Sequence, residues 1–173
     1  MTKTLSKFLL LFILLGNLLA INTIASDAKG VIEEKNFAQL AKKMKQQNKG
    51  LMLMLHAEGC SFCAALEKDY LYPSVISGEY DKEIFIRKLQ IDSGGPIIDF
   101  SGKKIDPEVI SDRYDGRLTP TLLFLDYKGN EAALKLIGYN TPSLFGGYVE
   151  AQLKDMRKYI LKNNKLENLK PKN

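Results

Sequence analysis

The 173-residue chain contains no tryptophan, one histidine and two cysteines. These scarcities exclude several chemistries. A structural zinc site takes four ligands, usually cysteine or histidine, and Cys60, Cys63 and His56 are the only three such residues. A one-chain zinc site would have to add a carboxylate such as Glu58. Attachment of c-type haem needs a histidine directly after the second cysteine, where this chain has Ala64. A membrane span needs about 20 predominantly apolar residues, but the apolar run at residues 8–15 is interrupted by Gly16, Asn17 and then Asn22. No cysteine follows that run closely, which argues against a lipid-anchored lipoprotein. Internal repeats and low-complexity blocks are also lacking, as is the basic and aromatic interleaving of a nucleic-acid surface.

What is present begins with a targeting pattern. Lys3 and Lys7 precede the apolar run, and small residues around Ala25, Ser26 and Ala28 follow it. A positive start, a short apolar stretch and a small-residue cleavage region make residues 1–26 a cleaved signal peptide, so the mature chain is expected in the periplasm. Residues 27–163 suffice for one compact domain with a real core. The net charge of +5 is concentrated toward the end, in KNNKLENLKPKN. Residues 164–173 read as a polar basic tail, a solvated helix end and terminus rather than a nucleic-acid arm.

Between those ends the elements alternate. Phe37, Leu40, Ala41 and Met44 recur at helical spacing, with Asn36 and Gln39 placed as a capping box, which predicts a helix over 36–48. LMLMLHA is a continuous apolar run, as for a strand buried on both faces. Phe62, Leu66 and Tyr70 then share a helical face, and Pro73 is expected to stop that helix. IFIRKLQID alternates as a second strand. Residues 93–105 accommodate a small extra hairpin turning at Ser101 and Gly102. Asp106 and Pro107 open a third helix that Gly116 is expected to close. TLLFLD and EAALKLIG flank a turn at YKGN as an antiparallel hairpin. Thr141 and Pro142 start a last helix with an apolar stripe of Phe145, Val149, Leu153, Met156 and Ile160. The strand-helix-strand start implies parallel pairing and the hairpin adds antiparallel strands. The expected fold is α/β: a mixed central sheet with helices on both faces and a short inserted hairpin before the third helix.

Three chemistries suit Cys60 and Cys63. A structural disulfide is the plainest for an exported pair, although a two-residue spacer closes a loop too small to gain much entropy. Copper(I) needs few soft thiolates, so a metal-binding module is a second reading. The third is redox exchange. At the first turn of a helix, free backbone N–H groups and the helix dipole favour the Cys60 thiolate. Cys63, one turn later, can then resolve the mixed disulfide that Cys60 forms.

Taken together, LMLMLHAEGCSFC, SDRYDGRLTPTLLFLDYKGN and LIGYNTPSLF resemble, in order, the thioredoxin superfamily, and within it the exported proteins of the SoxW type. The similarity covers residues 33–160. It implies a thioredoxin fold and a disulfide oxidoreductase without a cofactor, with Cys60 as the exposed nucleophile and Cys63 as the resolving thiol. Pro120 would be the family's cis-proline beside the dithiol, where sequence alone suggests an ordinary trans proline at a strand start. Thr119 would contact the substrate backbone, and Gly138 would leave room near the site. Two positions depart from thioredoxin itself: Met54 replaces a buried aspartate that assists proton transfer to the resolving thiol, and Gly59 replaces a tryptophan. Glu58 or water is then a candidate proton carrier, while His56 reads as a solvated or hydrogen-bonded residue at a strand end.

The spacer residues Ser61 and Phe62 bring no positive charge to over-stabilise a reduced thiolate, so a reductase is expected, with a disulfide oxidase as the alternative. The implied partners are client proteins with cysteines or disulfides and a membrane electron donor of the DsbD type.

Overall fold

The computed structural model describes residues 30–168. Residues 1–26, expected to be a signal peptide, and the end of the basic tail, 169–173, lie outside the described residues.

Asn36 caps the first helix, α1 (Phe37–Gln47), its side chain accepting the Gln39 N–H at 2.9 Å. Asn48 ends it in the left-handed conformation, φ 54°, which asparagine tolerates better than most residues. The chain enters β2 (Gly50–His56), whose residues Leu51 to Leu55 are wholly buried. Such a strand must be covered on both faces. It pairs in parallel with β3 (Ile84–Gln90) and antiparallel with β6 (Thr121–Leu125). A two-residue strand, β1 (Ile32–Glu33), adds in parallel to β3, and β7 (Leu136–Ile137) adds antiparallel to β6. The sheet order is therefore β1-β3-β2-β6-β7. The sequence gives no sign of β1, because two residues carry no alternation and the pairing is with a strand far along the chain.

Side-chain alternation divides the core. Leu51, Leu53 and Leu55 pack with Phe37, Leu40, Met44 and Ile110 beneath α1 and α4 (Pro107–Arg113). Met52 and Met54 point the other way, toward Leu66, Leu71 and the last helix, α5 (Pro142–Asn168). In α5, Phe145, Val149, Leu153 and Met156 are buried as the stripe required, each burial favouring the fold by about 1.5–3 kcal/mol. Ile160 packs at the edge of the same cluster. The helix continues to Asn168, where Glu167 accepts the Tyr127 hydroxyl at 2.7 Å, so the first residues of the basic stretch are helical.

Two helix boundaries differ from expectation. Pro73 does not stop the second helix. Instead α2 (Ser61–Leu66) passes through a π-helical turn (Glu67–Leu71) into α3 (Tyr72–Ser77), which Gly78 terminates. The wider turn resets the hydrogen-bond register so that Pro73 falls in the first turn of α3, where its missing N–H costs little. Nor is Gly116 the left-handed residue after α4. That is Asp115, φ 48°. Gly116 is required for space: a Cβ there would stand 2.5 Å from Cδ1 of Leu55 in the central strand.

The insertion forms the expected hairpin, β4 (Ile97–Ile98) against β5 (Lys104–Ile105). Buried Asp99 organises its turn. The carboxylate accepts the Ser101 N–H (2.8 Å) and hydroxyl (2.7 Å), the Lys103 N–H (3.0 Å) and the Arg113 guanidinium (2.9 Å).

Candidate active site

Parallel strands β2 and β3 end on the same side of the sheet, and the loop leaving β2 carries the cysteines there. Asp92, just past β3, pins that loop by accepting the Glu58 N–H at 2.9 Å. Cys60 is the N-cap of α2. Its Sγ accepts the Cys63 N–H at 3.2 Å, the position in which a serine or aspartate side chain would satisfy a free helix N–H. Cys60 and Cys63 form a disulfide, S–S 2.06 Å, with Cα atoms 5.3 Å apart. Cys60 is half-buried and Cys63 is 4% exposed. An approaching disulfide therefore meets Cys60 first.

The loop before β6 completes the site. The Thr119–Pro120 peptide is cis. The Thr119 hydroxyl donates to Cys60 Sγ at 3.5 Å, bringing together residues 59 apart in sequence. Thr121 holds the loop from the other side, its hydroxyl donating to the Leu118 carbonyl. Cys60, Cys63, Thr119 and Pro120 thus converge. Gly138 lies behind them and donates its N–H to the Pro120 carbonyl at 2.8 Å. Phe62 and Leu118 stand exposed beside the dithiol.

His56 is held away from this chemistry. Its Nε2 pairs with Glu33 Oε2 at 2.8 Å, and the other carboxylate oxygen of Glu33 accepts the Gln90 N–H at 2.6 Å. Burial pushes the Glu33 carboxyl up, but the bonds from His56 and Gln90 outweigh it and leave it below the usual range. Glu58 is exposed and contributes its backbone N–H to the loop. Met54 is fully buried, so the strand places an apolar side chain, with no proton to give or take, at that position.

A pair that sequence reasoning passed over lies on the same sheet face. Glu67, one turn after Cys63, accepts Lys88 Nζ on both carboxylate oxygens, at 2.7 and 2.8 Å. The four-residue interval from Cys63 was the signal available for Glu67. Nothing local announces that Lys88 would meet it. Among the described residues, no group of three or more His, Cys, Asp or Glu side chains is arranged to hold a metal ion.

A family model for a thioredoxin-like domain matches residues 37–153. No curated protein matches the chain. Among solved structures, a thioredoxin of Fasciola hepatica is 15% identical with a TM-score of 0.49, over 70% of this chain and 99% of its own. A poplar thioredoxin h is 20% identical with a TM-score of 0.46, over 65% and 85%. A structure concerned with thiol resolution in yeast mitochondrial 1-Cys peroxiredoxin is 16% identical with a TM-score of 0.48, over 70% and 94%.

Proposed function

Since the chain belongs to the thioredoxin-like domain family and has its fold, we propose that it is a thiol-disulfide oxidoreductase that exchanges electrons between its Cys60–Cys63 pair and client protein disulfides. The observation that carries this reading is the position of Cys60. Its sulfur caps a helix, accepts the Cys63 N–H, and receives the Thr119 hydroxyl. Each donor would stabilise negative charge on that sulfur in the reduced protein, and a thiolate is the nucleophile of disulfide exchange.

The steps follow from the exposures. The Cys60 thiolate attacks a client disulfide, forming a mixed disulfide and releasing one client thiolate. Buried Cys63 then loses its proton and attacks Cys60, closing the Cys60–Cys63 bond and releasing the second client thiolate. Two electrons pass to the client, and the oxidised pair must be recharged by a dithiol donor. Thr119, ahead of Pro120, is placed to receive the extended backbone of the client beside Cys60.

The direction is reductive in this reading. Ser61 and Phe62 add no charge to trap the reduced state, as a strong oxidant requires. We place the protein in the periplasm, on the pattern of residues 1–26, among exported reductants of the SoxW type. A membrane donor of the DsbD type would recharge it, and exported proteins whose cysteines must stay reduced would be its clients. Insulin reduction by wild type and Cys60→Ser tests the activity: a rate lost in the variant supports it, and equal rates sink it. Titrating the dithiol against glutathione tests the direction, with a potential near thioredoxin's, about −270 mV, expected, and one near about −120 mV marking an oxidant.

A further inference from the structure

Resolution of the mixed disulfide requires Cys63 to give up a proton, yet Cys63 is 4% exposed and the strand beneath offers Met54. We propose that Glu67, held in place by Lys88, accepts that proton. The inference rests on the dithiol-exchange reading and deepens it.

Three observations locate the role. Glu67 donates its backbone N–H to the Cys63 carbonyl, so the two residues are one α-helical turn apart and their side chains share a face. That face looks onto the sheet where Met54 stands directly opposite Lys88 in the β2–β3 register. Lys88 rises from that position and fastens both oxygens of Glu67, so the direction of the carboxylate is fixed. The pair remains partly exposed, 29% for Glu67 and 22% for Lys88, whereas Cys63 is sealed. A proton taken from the thiol therefore has a way out to solvent.

The neighbouring charges do not compete for this task. Glu33 of β1 lies beside Lys88 in register and is occupied by His56 of β2 and the Gln90 N–H of β3. On the segment that follows α2, Lys68 and Asp69 are exposed. The step balances. The Cys63 S–H proton moves to the Glu67 carboxylate, directly or through one water. The Cys63 sulfur bonds to Cys60, the Cys60–client bond breaks, and the client leaves as a thiolate. Glu67 then loses the proton to solvent and regains Lys88.

Glu67 serves as a proton acceptor only if its removal affects the second step and leaves the first. Reduced protein mixed with dithiobisnitrobenzoate releases one thionitrobenzoate when Cys60 attacks and a second when Cys63 resolves, and stopped flow separates the two. In Glu67→Gln the first release should be unchanged. The second should slow about a hundredfold near neutral pH, the low end of general-base effects, and recover as pH rises. Any smaller loss, or a loss equal at every pH, overturns the assignment. Glu67→Asp should restore part of the rate, and Lys88→Met should slow the second release less than Glu67→Gln does near neutral pH, since the carboxylate survives. A Glu67→Asp no faster than Glu67→Gln counts against the role, as does a Lys88→Met as slow as Glu67→Gln. Wild type that releases only one equivalent overturns the dithiol-exchange reading, and the role of Glu67 with it. Wild type and Glu67→Gln that release both equivalents alike overturn the role of Glu67 alone.

Discussion

Gly138 donates its backbone N–H to the carbonyl of Pro120 at 2.8 Å, so the end of the short strand β7 clamps the loop that faces the dithiol. Gly138 holds φ at +81° to do so, and a Cβ there would come within 3.1 Å of the Asn140 side chain. Gly138→Ala should therefore destabilise the fold by about 1–2 kcal/mol, the ordinary cost of a left-handed non-glycine residue. Urea unfolding measures the loss. An unchanged midpoint would show that the turn relaxes without this conformation.

Thr119 reaches Cys60 from a different part of the chain, and its hydroxyl is the one side-chain donor to that sulfur among the described residues. Thr119→Val keeps the shape and removes the donor. A hydrogen bond to a charged group is worth about 1.5 kcal/mol, close to one unit of thiol pKa. Iodoacetamide alkylation of the reduced protein near neutral pH should slow up to about tenfold. The Cys63 N–H, untouched by the change, keeps the rate from falling to that of a free thiol. An alkylation profile that coincides with wild type would mean that Thr119 does not stabilise the thiolate.

How much of this is legible in the sequence depends on how local each cause is. Asn36 and Gln39 announce the start of α1 because a cap is a three-residue event, and Leu51 to Leu55 announce a central strand because burial on both faces removes alternation. The rule applied to Pro73 was also local, and it failed for want of one fact. A π-turn at Glu67–Leu71 can reset the helix so that proline opens a new segment. Among the site residues, Cys60 and Cys63 carry their own spacing, whereas Thr119 and Pro120 came from family likeness. The Glu67–Lys88 pair depends on a helix docking over β3, which no sequence period encodes.

Gly116 is needed for space rather than as the residue that closes α4. Its Cα lies against the central strand, with Cδ1 of Leu55 at 2.5 Å from any added Cβ. Gly116→Ala must displace a fully buried leucine, and overpacking of this kind costs about 1–3 kcal/mol. Thermal melts of Gly116→Ala should drop, and the double variant Gly116→Ala with Leu55→Val should recover part of the loss by trimming the clashing methyl. Additive losses in the double variant would place the strain elsewhere.

Asp99 ties the inserted hairpin to α4, the helix that leads into the Pro120 loop. Burial drives its carboxyl up, but the Ser101 hydroxyl, the Arg113 guanidinium and the Lys103 and Ser101 N–H groups outweigh it and hold it down at about 2. The ordinary aspartate value is about 3.9. A carboxyl lower in the folded than in the unfolded chain lends stability that is full above about pH 4 and is lost as pH falls to about 2. Asp99→Asn keeps an acceptor but loses the charge, and should be less stable than wild type by about 1–3 kcal/mol at neutral pH. That difference should shrink through the same acid window, because wild type loses its charge there and the variant has none to lose. Urea midpoints of both proteins at neutral pH and at successive steps down to about pH 2 follow the difference. A gap that stays constant across the window would show that Arg113 and the turn are held by geometry rather than by the ionised carboxylate.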